Sequence, residues 1–193
     1  TTKRETKKEK SKQNQTNNVL KSPIINIKNL HIIHTNINKI SPHPELVKIT
    51  AVTKTLSCKA IESAYKNNLL IIGENKIQET IQKTKQFKKP KNLKIHFIGH
   101  LQTNKIKKAV NIYDVIQTVD SEKLATKINH YAKEQKKKQK IFIQINISEN
   151  PGQFGVKKKE AQPLINNIIK MKNINICGLM AIGPNTTNKT KIG

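Results

Sequence analysis

The sequence predicts an α/β fold in which a parallel sheet is wound with helices. Short apolar runs alternate with longer stretches whose apolar residues recur every three or four positions. That is the pattern of strands joined by amphipathic crossover helices. The strand-like runs begin 19 to 34 residues apart, the spacing of βα units. With 193 residues the chain has room for one sizeable core, yet it is shorter than the about 250 residues of a typical eight-unit α/β barrel.

Each element follows from a local pattern. Residues 1–23 open with "TTKRETKKEKSKQNQTNN", charged and almost without apolar side chains, and are predicted to be a disordered basic tail. The tail lacks the apolar centre of a secretory signal. Ile27, Leu30, Ile33, Ile37 and Ile40 then make one face of a helix, which Pro42 and Pro44 end. Strands are expected at "LVKITAV" (46–52), "LLII" (69–72), "KIHFI" (94–98), "YDVIQTV" (113–119), "KIFIQINI" (140–147) and "INICGLMAI" (174–182). Helices are expected between them at about 57–68, 76–87, 101–110, 121–137 and 157–172, the last with Leu164, Ile165, Ile168 and Ile169 as its buried stripe. Residues 185–193 are expected to be an irregular tail, which leaves 24–184 as the folded part. Right-handed crossovers follow from the parallel order. Periodicity fits an open doubly wound sheet and a barrel equally, and in both the site collects at the carboxyl ends of the strands.

Composition excludes several classes. The formal charge is +25, and Arg4 is the only arginine among 37 basic residues. Lysines are spread along the chain, and the few aromatic residues do not interleave with the basic runs as stacking platforms would require. Weak adhesion to polyanions is expected but no specific nucleic-acid site, so a basic nucleic-acid-binding protein stays a remote alternative. No apolar run approaches the roughly 20 residues of a membrane span. Cys58 and Cys177 have no ligand-like spacing, and the six histidines are scattered, so neither a disulfide framework nor a metal site is expected. No GxGxxG or GxxxxGK[ST] follows a strand.

The chemistry is expected where strands give way to loops, in "AVTKT" (51–55), "IGEN" (72–75), "HFIGHLQTNK" (96–105) and "GLMAIGP" (178–184). Lys54 ends the first apolar run. Its stem could carry the charge out to water, or its amine could be held for chemistry. Asn75 has the position of a helix N-cap with Gln78 three residues on, and Glu74 is placed either to favour the helix macrodipole or to touch a ligand. His96 alternates with Phe97 on a strand, where a core histidine with a satisfied hydrogen bond is the plain reading. Met180 is suited to core filling.

Taken together these four segments resemble the family of pyridoxal-phosphate homeostasis proteins, related in fold to the barrel domain of alanine racemase. "HFIGHLQTNK" is the most specific piece, and the resemblance runs from about residue 24 to 184. It implies a TIM-type (β/α) barrel that binds pyridoxal 5′-phosphate (PLP) as a Schiff base on Lys54, with Asn75, His96 and Met180 near the cofactor. An exposed lysine is almost wholly protonated at neutral pH, so partial burial of Lys54 is expected to favour its nucleophilic form. The implied role is a cytoplasmic PLP carrier without catalytic turnover, a monomer or weak dimer whose recipients would be apo forms of PLP-dependent enzymes. An amino-acid racemase is the enzymatic alternative. Two departures stand out. Gln153 occupies a place where the family commonly has lysine. The chain also ends at Gly193, before the serine-rich and arginine-containing segments that hold the phosphate in the family. A barrel truncated after about six strands, with impaired PLP binding, is expected from that second departure.

Overall fold

A computed structural model describes residues 25–148 and 151–183. The two tails expected at 1–23 and 185–193 lie outside the described residues. The chain enters through α1 (Ile27–Ile40), capped by Asn26, whose Oδ1 accepts from the Asn29 amide at 3.1 Å. The βα alternation then runs β1 (Thr50–Val52), α2 (Cys58–Lys66), β2 (Ile71–Glu74), α3 (Ile77–Gln86), β3 (Lys94–Phe97), α4 (Ile106–Ile112), β4 (Val115–Val119), α5 (Glu122–Glu134) and β5 (Gln139–Asn146). A two-residue β6 (Val156–Lys157), α6 (Lys158–Ile168) and β7 (Ile174–Ala181) complete it.

All strand pairs are parallel. β1 pairs β2, β2 pairs β3, β3 pairs β4 and β4 pairs β5, while β5 carries both β7 and the short β6. Irregular register between β4 and β5 and between β5 and β7 adds local bending. The sheet is a partial TIM-type barrel: among the described residues nothing closes β7 onto β1. Its helix-facing side is the core. Ile72, Ile95, Ile116, Ile141 and Ile143 are essentially inaccessible and pack with Ile61, Ala64, Ile106, Val110, Ile128 and Ile168 from the helices. Each such isoleucine contributes about 1.5–3 kcal/mol on burial.

The elements differ from the sequence pattern mainly at their ends. The first expected strand, 46–52, shrinks to three residues, because Pro44 starts a 3-10 turn over Pro44–Leu46 that the Val47 amide closes onto the Pro44 carbonyl. Leu46 and Val47 are therefore exposed, at 69% and 43%. The helix expected at 101–110 is a 3-10 turn (Thr103–Lys105) running into α4. The face expected on α1 is only half covered. Leu30 packs against the core, but Ile27, Ile33 and Ile40 stay exposed. No helix among the described residues is long and apolar enough to cross a membrane.

Candidate functional site

Parallel register sorts the strand residues onto two faces. Rows such as Ala51–Ile72–Ile95 and Glu74–Phe97 point toward the helices and are buried. The intervening row, Val52–Gly73–His96, points to the inner face, and so do their i+2 neighbours Lys54, Asn75 and Ile98. Across the sheet, Gln144 of β5 lies beside Met180 of β7. Lys54, Asn75, His96 and Met180 thus share one face of the sheet, with Lys54 and Asn75 at its carboxyl edge and His96 a row deeper.

Their surroundings differ. Lys54 is exposed rather than partly buried. Its strand is an edge, covered laterally by β2 alone among the described residues, and Val52 on the same face is also half open. Asn75 is not the N-cap of α3. That position falls to Lys76, which makes no side-chain cap, and Asn75 Oδ1 is buried without a hydrogen-bond partner among the described residues. The backbone of Asn75 lies tight against the turn after β3: a Cβ added to Gly99 would sit 2.5 Å from the Asn75 carbonyl oxygen. Only glycine allows the "GEN" and "FIGH" loops to meet so closely. Beside them a cavity of about 420 Å³, lined by Asn75, Phe97, His100, Leu101, Gln102 and Lys105, opens at the carboxyl rim.

His96 is buried, and its Nδ1 accepts from Gln117 Nε2 at 2.7 Å, which leaves the proton on Nε2. Burial, opposed by Asp114 and seconded by Lys140, pushes its imidazole down to about 4 and keeps it neutral. It faces the edge of the Phe142 ring and lines a second cavity, of about 610 Å³, toward the amino ends of the strands with Thr50, Val115, Gln117 and Cys177. Neither cavity includes Lys54 or Met180. Met180 is half-buried.

The buried pairing of Glu74 with Lys83 escaped the sequence reading. Glu74, expected at a helix start, is fully buried on the helix side of β2. It accepts from Lys83 Nζ at 2.8 and 3.0 Å and from Thr53 Oγ1 at 2.6 Å. Lys83, on α3 and only 4% exposed, also donates to the Thr53 carbonyl at 2.8 Å and pairs with Glu79 at 2.7 Å. Burial raises the Glu79 carboxyl, but the Lys83 ammonium and the Thr55 amide outweigh it and hold it below the usual range. A lysine inside an amphipathic helix of a lysine-rich chain gives no sequence sign of burial. The i, i+4 spacing of Glu79 and Lys83 was the one available signal.

Gln153, where a family lysine was expected, has a structural occupation. Its Nε2 donates to the Ile182 carbonyl at 3.1 Å, its carbonyl accepts from Asn146 Nδ2 at 3.0 Å, and its Oε1 accepts from Ser148 Oγ. The loop is thereby fastened to the end of β7.

The chain and its fold have known relatives. A family model described as the alanine racemase N-terminal domain matches residues 29–191. The chain belongs to that family. Within it, the pyridoxal phosphate homeostasis protein of Haemophilus influenzae is 35% identical over 157 residues, 81% of this chain and 66% of that protein. The chain spans 58 to 66% of the length of the first three such relatives it matches. PipY of Synechococcus elongatus, a solved structure without PLP, is 30% identical with a TM-score of 0.70, covering 81% of this chain and 73% of its own. Its PLP-bound form gives a TM-score of 0.66 at 28% identity over 78% and 71% of the two chains. An alanine racemase from Clostridium difficile shares the family fold at 19% identity and a TM-score of 0.64, over 80% of this chain and 40% of the racemase.

Proposed function

We propose that this chain carries pyridoxal 5′-phosphate, attached through Lys54, and holds and releases it without chemical turnover. The observation that supports this best is the place of the Lys54 amine, at the carboxyl edge of the inner face and one strand from the Asn75 Oδ1 that has no hydrogen-bond partner among the described residues. An amine and a buried polar atom lacking a partner suit a ligand with an aldehyde and several polar ring substituents. PLP supplies an aldehyde that a primary amine captures reversibly. Asn75 offers that ligand an acceptor, His96 adds no charge of its own to the deeper inner face, and Met180 lines the opposite strand. The relatives named for PLP homeostasis and the PLP-bound PipY structure support the same reading.

An exposed attachment point also suits a donor. Water and an incoming amine, such as the lysine of an apo enzyme, both reach Lys54. An absorbance titration with PLP tests the proposal. The wild-type chain should develop a saturable new band, and Lys54→Ala should not. Equal saturable binding by both chains would remove Lys54 from the account.

A further inference from the structure

The residues around Lys54 are held far more firmly than an exposed lysine requires. Thr53, Lys54, Thr55 and Leu56 form a turn in which the Leu56 amide donates to the Thr53 carbonyl at 3.2 Å. Thr55, its third residue, has φ of +65°. That is the pattern of a type II turn, whose third position normally takes glycine or asparagine. A threonine there is strained, and such strain persists only where the surroundings over-determine it.

The surroundings do so through one ion pair. Two peptide planes flank the Lys54 Cα. The carbonyl of the first, that of Thr53, accepts from buried Lys83 Nζ at 2.8 Å, and the amide of the second, that of Thr55, donates to Glu79 Oε1 at 2.7 Å. Lys83 and Glu79 are themselves paired at 2.7 Å. Glu74 anchors the assembly to β2 through Lys83 and through the Thr53 hydroxyl. Both backbone torsions of Lys54 are therefore fixed by α3, while its side chain stays exposed.

We propose that Lys83, with Glu79, is a positioning residue: it clamps the backbone on both sides of Lys54 and so aims the amine along the inner face. This rests on the reading that Lys54 is the attachment residue. The clamp removes conformers that direct the amine elsewhere, so it acts on the rate of attachment without touching the ligand.

The test compares wild type, Glu79→Ala, Lys83→Met and Lys83→Arg in the full chain. Each is mixed briefly with PLP, quenched with borohydride and mapped by peptide mass spectrometry. Labelling of Lys54 is measured against Lys107 and Lys133 in the same molecules. Parallel trace acetylation reports the reactivity of every lysine without PLP. Glu79→Ala should slow PLP labelling of Lys54 at least fivefold relative to the distant lysines, and should also alter its acetylation. Lys83→Arg should restore at least half of whatever Lys83→Met loses. Glu79 is a quarter exposed, so its variant keeps the test intact if Lys83→Met fails to fold. Wild-type labelling no faster at Lys54 than at Lys107 would overturn the functional reading itself. Fast wild-type labelling that Glu79→Ala leaves unchanged, or a loss spread equally over all lysines, would overturn the clamp alone.

Discussion

Acidification should cost the wild-type fold more than its His96→Gln variant. In the native state burial holds the His96 imidazole neutral, with a folded value of about 4 against the ordinary 6.5. Between those values the unfolded chain binds a proton that the native chain refuses, so stability rises with pH across the window and is lost as pH falls from 6.5 toward 4. Taken at face value the gap amounts to about 2 kcal/mol between roughly pH 7 and pH 4.5, and water reaching the inner face reduces it to about 1 kcal/mol. Glutamine keeps an acceptor for Gln117 Nε2 but has no proton to gain. Urea unfolding of both chains at several pH values isolates the effect, because carboxylate contributions cancel in the difference. Wild type should lose about 1–2 kcal/mol more than the variant over this interval. Parallel losses, or a larger loss in the variant, would refute the neutral, buried His96.

Other perturbations have defined outcomes. Lys83→Met strands the Glu74 carboxylate with no exposed surface, and thermal melts should show about 3–5 kcal/mol of destabilisation. Adding Glu74→Gln to it should recover part of that loss, and a double mutant worse than the sum of the singles would contradict the ion pair. Gly99→Ala drives a methyl group into the Asn75 backbone and should cost about 1–3 kcal/mol by chemical denaturation, with loss of the contact between the two rim loops.

The βα order was legible because hydrophobic periodicity records which face each residue buries, and that signal is strong in long elements. It fails where a run is apolar for another reason. Leu46 and Val47 continue the hydrophobicity of β1, yet Pro44 folds them into a turn at an edge where little covers them. The inner-face positions of Lys54, Asn75, His96 and Met180 follow from strand alternation, and their number parity is in the sequence. Burial is not. Lys54 is open because it ends an edge strand, while Lys83, the same residue type, is sealed between α3 and the sheet. Asn75 looked like a cap because it precedes a helix, but helix starts depend on backbone geometry, and α3 begins one residue later. Gln153 could be seen as a departure from lysine. Its hydrogen bonds to Ser148, Asn146 and Ile182 required the fold.

The most direct measurement of the central claim is a site-resolved one. The chain is incubated with PLP at equilibrium, reduced with borohydride, and each of its lysines is assayed for the added pyridoxyl mass. The account predicts one dominant modified position, Lys54, and no dominant replacement in Lys54→Ala. Mass spread evenly over exposed lysines, or concentrated at another residue while Lys54 stays unmodified, would contradict it.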